Sequence, residues 1–515
     1  MPDLLKREIF SLKRQSQVYN VFIKINFIKN DLNKNIFNKG RKFMFIGRKK
    51  ELKVLEDSYQ RNGFSMTVIT GRRRIGKSTL IREFTKDKKA LYYTATKVGS
   101  ERNLELLADQ VISLFAPALK GIQFKTTENL FDFITARLDQ EKLVFIIDEL
   151  PYWAESDQSL LSVLQKYIDT KWNDKKMHLI LCGSSLSFME NEVLSEKSPL
   201  FGRRDSQIHL EPFSYLEAAE FVPDYSYEDK AITYGVTGGV AKYLSLFNPE
   251  ESLDDNIKRL FFTAGGYLYD EPHNLLTQEF TDIVIVNNII EQIAAGENTL
   301  ALIADKVHES SSTVSYSIRK LINTGIVKKK LCIGEEKNKK KFQYVLKDTM
   351  FQFWYEFIPD AVSLIEMGRG TQYYDKVVKD KLHDYMGGIF EEMCRTFTLM
   401  KGSSGEEDYF LTNVGTWWGT EILRNEDGSK YMQTADIDVV GVSDVDKVIV
   451  VGECKFKNRK MNESVYDTLV RRSKYVPVKY RVAEYLFFSL SGFTDWNVHD
   501  NVKCYTLKDL YEQAV

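Results

Sequence analysis

What this 515-residue sequence lacks narrows its chemistry first. Its five cysteines, Cys182, Cys332, Cys394, Cys454 and Cys504, include no C-x-x-C pair. That spacing excludes a recognisable zinc site and a disulfide framework, and it points to a reducing compartment. No run of about 18 apolar residues is present, which excludes a helix long enough to span a membrane. The N-terminus has neither the apolar core nor the small-residue cleavage site of a signal peptide. The expected location is therefore the cytoplasm, with no membrane partner. Net charge is nearly absent too: a formal -1 excludes a wholly basic nucleic-acid coat but leaves room for local basic patches. What remains, 43% hydrophobic and 28% charged residues, is the composition of a globular protein, and the length suggests about three or four domains.

The most informative stretch is Gly71-Arg72-Arg73-Arg74-Ile75-Gly76-Lys77-Ser78, of the form G-x-x-x-x-G-K-[ST]. Met66–Ile69 before it reads as a buried strand, and Thr79–Phe84 after it as a helix. Glycines allow backbone N–H groups to curl around phosphate oxygens, and the helix N-terminus adds its dipole. Lys77 is the expected cation for the terminal phosphates, and Ser78 the expected hydroxyl ligand of Mg²⁺; Thr79 opens the helix within the same cofactor-binding segment. The ligand is ATP. Downstream, beyond a helix expected over Phe131–Leu138, Leu143–Ile147 is a run of five apolar residues ending in Asp148-Glu149, the pattern of a parallel strand buried on both faces with acids at its carboxyl end. Asp148 is placed to hold Mg²⁺, and Glu149 to polarise the attacking water. A further strand, Met177–Cys182, runs into Ser184, a candidate γ-phosphate sensor or a plain turn serine. Arg203 is a candidate finger on the phosphates of its own or a neighbouring subunit, consistent with a homo-oligomer, or a surface arginine.

These residues, with Ile46-Gly47-Arg48, Gly183-Ser184-Ser185 and Leu200-Phe201-Gly202-Arg203, resemble the archaeal-type ATPases of the AAA+ group, also frequent in bacteria. The resemblance implies an ATPase core, a small helical lid and a winged helix. Gly238-Gly239-Val240-Ala241-Lys242-Tyr243-Leu244 is similar to the lid motif of that family, with Ala241 where proline is usual.

Residues 286–346 carry a winged-helix pattern: helices over Ile289–Ala295, Thr299–Val307 and Ser311–Thr324, then a hairpin with a lysine-rich tip at Glu335–Lys341. The third helix sets Val314, Ile318, Leu321 and Ile322 toward a core and leaves Ser312, Ser315, Tyr316 and Arg319 for the major groove of DNA. A protein partner docking on a solvated charged turn is the alternative. Asp348–Tyr355 is an aromatic junction expected to be core. Beyond it, a helix over Asp384–Met400 carries Glu391, and strands over Asp436–Val442 and Val448–Lys455 can pair through a tight link. A loop centred on Val445 and Asp446 would set Asp438 opposite Glu453 and Asp436 opposite Lys455. Facing carboxylates repel, and a divalent metal on Asp438 and Glu453 would compensate, with Lys455 orienting or deprotonating water. A salt-bridged surface hairpin is the alternative. Gly388-Ile389-Phe390-Glu391, Asp438 and Glu453-Cys454-Lys455 resemble the metal-dependent PD-(D/E)XK nuclease fold, and the resemblance implies that Glu391 joins Asp438 and Glu453 in holding the metal.

The expected fold class is α/β: a P-loop NTPase core (44–212), a helical lid (213–285), a winged helix-turn-helix domain (286–346) and a C-terminal α/β nuclease-like domain (347–515). A basic, disordered or non-native leader (1–43) precedes them, with Met44 as the expected native start. The expected function is Mg-dependent ATP hydrolysis coupled to a DNA-directed nuclease-like domain. The alternatives are an ATP-dependent signalling switch and a DNA-binding regulator, each with a silent nuclease-like domain.

Overall fold

A computed structural model of the chain describes residues 45–138, 141–338, 340–425, 427–494 and 500–514. The expected leader and the expected start at Met44 lie outside the described residues. Contacts divide the chain between Ile46 and Gly47, and the architecture below is that of the unit from Gly47 onward.

Five parallel strands come first: β1 (Phe64–Thr70), β2 (Ala90–Thr94), β3 (Leu143–Asp148), β4 (Met177–Gly183) and β5 (Ser206–His209), in the spatial order β2-β3-β4-β1-β5. Every residue of β3 and β4 is buried, as expected of a parallel sheet covered on both faces. The carboxyl ends of β1, β3 and β4 therefore meet at one edge, which places the phosphate loop, Asp148-Glu149 and Ser184 together. Gly76 has φ 97° and caps α1 (Lys77–Phe84), a conformation that a Cβ would strain. One helix in this layer spans Thr127–Thr135 rather than the expected Phe131–Leu138. The Thr126 hydroxyl accepts the Asn129 N–H and fixes the earlier start.

The helical segment that follows includes α2 (Glu271–Glu279) and leads into a winged helix: α3 (Ile283–Ala294), α4 (Leu300–Val307), α5 (Ser311–Asn323) and the antiparallel pair β6 (Val327–Leu331) and β7 (Phe342–Leu346). α3 begins at Ile283, earlier than the expected Ile289, because Val286 adds a buried position to its apolar face. Of the expected DNA-facing residues on α5, Ser312, Tyr316 and Arg319 are exposed and Ser315 is half-buried. The wing does not stand free. Cys332 bridges to Thr416, and Ile333 packs where a Cβ on Gly415 would clash.

In α6 (Thr349–Phe357), Phe351, Phe353 and Phe357 are core, as the composition suggested. The last sheet has the order β12-β11-β10-β9-β8, formed by β8 (Asn413–Arg424), β9 (Lys430–Ser443), β10 (Val448–Lys455), β11 (Arg481–Ser489) and β12 (Val502–Thr506). β8, β9 and β10 are an antiparallel meander; β11 runs parallel to β10, and β12 parallel to β11. α7 (Lys379–Gly402) covers one face and α8 (Ser464–Ser473) the other. β9 is longer than the expected Asp436–Val442. Its first five residues are exposed and pair only with β8, as an arm that no core periodicity announces. A single apolar cluster runs from Tyr215 through the winged helix to Leu510, joining segments that the sequence reads as separate domains.

Candidate nucleotide site and a second acidic site

At the carboxyl edge of the parallel sheet, Ser78 Oγ donates to Asp148 Oδ2 at 2.8 Å. The Tyr92 hydroxyl donates to the same oxygen at 2.7 Å, a partner the sequence reading did not single out. Lys77 is buried, and its ammonium donates to the Gly71 and Arg72 carbonyls at 2.7 and 3.0 Å. Ile75 is buried beneath the loop, and Thr79 is exposed on the first turn of α1. Glu149 has φ 54°, a left-handed conformation that is unfavourable for a residue with a Cβ and is stored at sites where surrounding structure enforces it. The turn carries its carboxylate to Ser184, which donates to Glu149 Oε2 from its amide at 3.2 Å and from its hydroxyl at 2.8 Å.

The three loop arginines leave the sheet. Arg72 donates to Asp348 Oδ2 at 2.6 Å, with the two side chains 10% and 0% exposed. Burial works against the Arg72 cation, but Asp348 and Tyr243 outweigh it and raise its pKa. Arg73 donates to Glu279 and to the Tyr152 hydroxyl, both at 2.5 Å. Arg74 pairs with buried Glu271, which also accepts the Tyr243 hydroxyl at 2.6 Å. Lys242 N–H donates to the Arg74 carbonyl at 3.0 Å, so the segment around Ala241 abuts the phosphate loop. Arg203 forms a two-armed pair with Asp169, both bonds 2.7 Å, and among the described residues makes no hydrogen bond to the loop.

Residues 45–247 match the model of an ATPase domain found predominantly in Archaea. That stretch, which holds the phosphate loop, Asp148-Glu149 and Ser184, is where the chain is similar to archaeal-type ATPases. Residues 281–346 match a winged helix DNA-binding domain, and residues 354–465 match a family of archaeal and bacterial proteins of unknown function. An uncharacterized protein of Methanocaldococcus jannaschii is 29% identical over 438 residues, 84% of this chain and 92% of that protein. Among solved structures, the Walker-type ATPase PABY2304 of Pyrococcus abyssi is similar at 20% identity and TM-score 0.48, over 62% of this chain and 98% of that one. The ORC2 protein of Aeropyrum pernix is similar at 14% identity and TM-score 0.42, over 64% and 98%.

The second site lies outside the ATPase domain. The β9–β10 register pairs Ser443 with Val448 and continues to Val439 with Gly452, the register expected for a link centred on Val445 and Asp446. Asp438 and Glu453 are the next positions, and there the ladder stops: Asp438 Oδ2 accepts the Cys454 N–H at 2.8 Å. Burial, then the charges of Glu453 and Glu391, push the Asp438 carboxyl up to about 8. Burial alone would lower the Lys455 ammonium, but Glu453, 2.5 Å away, raises it. Glu391 accepts from Arg395 at 3.3 Å, and Arg395 also donates to the Asp438 carbonyl at 2.7 Å. Asp436 departs from expectation. It is exposed and pairs with Arg472 at 3.2 Å rather than standing beside Lys455, because the strands separate once the Asp438 side chain takes the main-chain donor. Among the described residues, no three side chains of His, Cys, Asp or Glu stand close enough together to share a metal ion. No described helix is long and apolar enough to cross a membrane.

Proposed function

We propose that the ATPase domain hydrolyses Mg-ATP and that its turnover controls a DNA-directed, nuclease-like domain at the C-terminus. The observation that carries the first half is the Ser78–Asp148–Glu149–Ser184 chain of contacts at the end of the parallel sheet. Ser78 and Asp148 offer hard oxygen donors 2.8 Å apart, the chemistry that suits Mg²⁺. Bound Mg²⁺ would neutralise charge developing on the terminal phosphates. Lys77 supplies a second positive charge to those oxygens, and the loop amides hold them in place. Glu149, oriented by two donors from Ser184, accepts a hydrogen bond from the attacking water. Arg203 serves as a finger only toward a neighbouring subunit, since within its own chain Asp169 holds it.

Support for the second half is the placement of the residues that resemble the PD-(D/E)XK fold: Glu391 on α7, Asp438 on β9, and Glu453 and Lys455 on β10, with α7 packed against the sheet that holds the other three. An Asp438 carboxyl pushed up to about 8 by burial and then by Glu453 and Glu391 is a group whose proton a divalent cation would displace. The exposed face of α5 supplies the route to DNA. One observation favours a second reading, a signalling switch with a silent nuclease-like domain: Lys455 is bound to Glu453, and the acids do not converge on one point. Cleavage of plasmid and linear DNA with Mg²⁺ or Mn²⁺, with and without ATP, tests the pair. Metal-dependent cleavage that disappears in Lys455→Ala supports the nuclease, and changed ATP dependence in Glu149→Gln supports the coupling. Absence of cleavage under every nucleotide and divalent condition leaves the switch.

A further inference from the structure

Strand β2 presents two tyrosines in succession, and the strand period of two sends them to opposite faces of the sheet. Tyr93 is buried in the apolar cluster of this layer, where its hydroxyl donates to Asn103 Oδ1 at 2.6 Å. Tyr92 is half-buried on the other face. Because β2 and β3 run parallel with Tyr92 beside Ile146, Asp148 lies two residues further along the neighbouring strand, on the same face. Two residues of strand span about 6.6 Å, a gap that a tyrosine side chain can close and a smaller polar side chain cannot. The Tyr92 hydroxyl closes it, donating to Asp148 Oδ2 at 2.7 Å. The Arg82 guanidinium, from the last turn of the helix that carries Ser78, lies 5.7 Å from the centre of the Tyr92 ring.

Asp148 thus accepts from Tyr92 and Ser78 on Oδ2 and from the Glu149 N–H on Oδ1 at 3.0 Å. Burial, and then the charge of Asp148, raise the Tyr92 pKa, so the phenol keeps its proton and stays a donor. A serine hydroxyl has one proton and two acceptor lone pairs. With the Ser78 proton given to Asp148, its lone pairs stay available to a cation.

We propose that Tyr92 is a positioning residue for the divalent cation that accompanies the nucleotide: its hydrogen bond fixes the Asp148 carboxylate in the orientation in which Ser78 gives up its proton and offers its oxygen to Mg²⁺. The inference rests on the ATPase reading and adds to it a residue outside the phosphate loop and the Asp148-Glu149 pair. Without the phenol hydroxyl, Asp148 Oδ2 has one donor in place of two, and the carboxylate can turn away from Ser78. The Mg²⁺-dependent part of ATP binding then weakens, while the part carried by the loop amides and Lys77 does not.

The test is a calorimetric titration of the full chain with ATP, at saturating Mg²⁺ and again in EDTA, for wild type, Tyr92→Phe, Ser78→Ala and the double variant. Tyr92→Phe keeps the ring and its packing, so its melting temperature should stay within a few degrees of wild type. Mg²⁺ should tighten ATP binding by wild type. Tyr92→Phe should cut that gain about tenfold, the scale of one hydrogen bond to a charged group, and leave the affinity in EDTA within about twofold. In the Ser78→Ala background Tyr92→Phe should remove little more, because the two residues act on one ligand. Losses that multiply in the double variant, an unchanged Mg²⁺ gain in Tyr92→Phe, or equal losses with and without Mg²⁺ each overturn the proposal. Wild type that binds ATP equally in Mg²⁺ and in EDTA overturns it as well but leaves nucleotide binding standing. Wild type that binds no ATP sinks the ATPase reading, and the proposal with it.

Discussion

Asp148 closes β3 and Asp438 lies within β9; both are buried carboxylates, yet their surroundings differ in kind. Asp148 accepts from the Ser78 hydroxyl, the Tyr92 hydroxyl and the Glu149 amide. Asp438 accepts one main-chain N–H and shares its neighbourhood with Glu453 and Glu391. Burial first, and then the charges of Glu453 and Glu391, raise the Asp438 carboxyl above the usual carboxylate range. Hydroxyl and amide donors surround the first carboxylate, and further acids surround the second.

The largest expected effect breaks the first side of the comparison. Lys77→Ala should lower ATP hydrolysis by about 100-fold or more, and Glu149→Gln by about 100-fold with ATP binding retained, both followed by phosphate release at saturating Mg²⁺. Next is the tie between the loop and α6. Arg72→Ala strands the Asp348 carboxylate in a buried position, and urea unfolding should report a loss of about 3–5 kcal/mol. The Arg72→Ala/Asp348→Asn double variant should recover part of it, because the uncompensated charge is then gone.

The second side is sharpened by pH. The folded Asp438 pKa of about 8 lies above its unfolded value, so the stability this group contributes is full below about pH 4 and is lost as pH rises through about 8. The melting temperature of Asp438→Asn should therefore gain on wild type across that window. Mn²⁺ should raise the wild-type value at pH 8 and leave the variant unmoved; equal response of both would remove the metal reading of this site. The smallest effect is expected at Arg203→Ala. Its pair with Asp169 is partly exposed, so stability should fall by no more than about 1 kcal/mol in thermal unfolding. A fall in turnover of about 1000-fold, confined to concentrations where the protein self-associates, would assign Arg203 to a neighbouring subunit's phosphates.

Much of the parallel core was legible because its signals are local. Apolar runs bounded the strands, and Gly71, Gly76, Lys77 and Ser78 lie within eight consecutive residues. The β9–β10 register was legible as well, since a short link leaves few alternatives and a one-residue slip would turn every side chain to the wrong face. Other features had no local sign. The Thr126 cap shifted one helix, Val286 lengthened another, and the β8–β9 arm continued beyond the buried face. Tyr92 and the acids that meet the loop arginines depend on residues far apart in the chain. Nothing in an isolated Asp348 or Glu279 distinguishes it from a surface acid.

By itself, then, the sequence determined the kind of site: backbone curvature, charge and hydroxyl groups at fixed short spacings bind phosphate wherever the strand–loop–helix unit forms. The tertiary structure alone decided what that site touches. Arg72, Arg73 and Arg74 reach Asp348, Glu279 and Glu271 only because the helical segment, the winged helix and the C-terminal sheet share one apolar cluster. Long-range pairing is set by how whole elements pack, and a linear pattern carries no record of which distant acid a given arginine will meet.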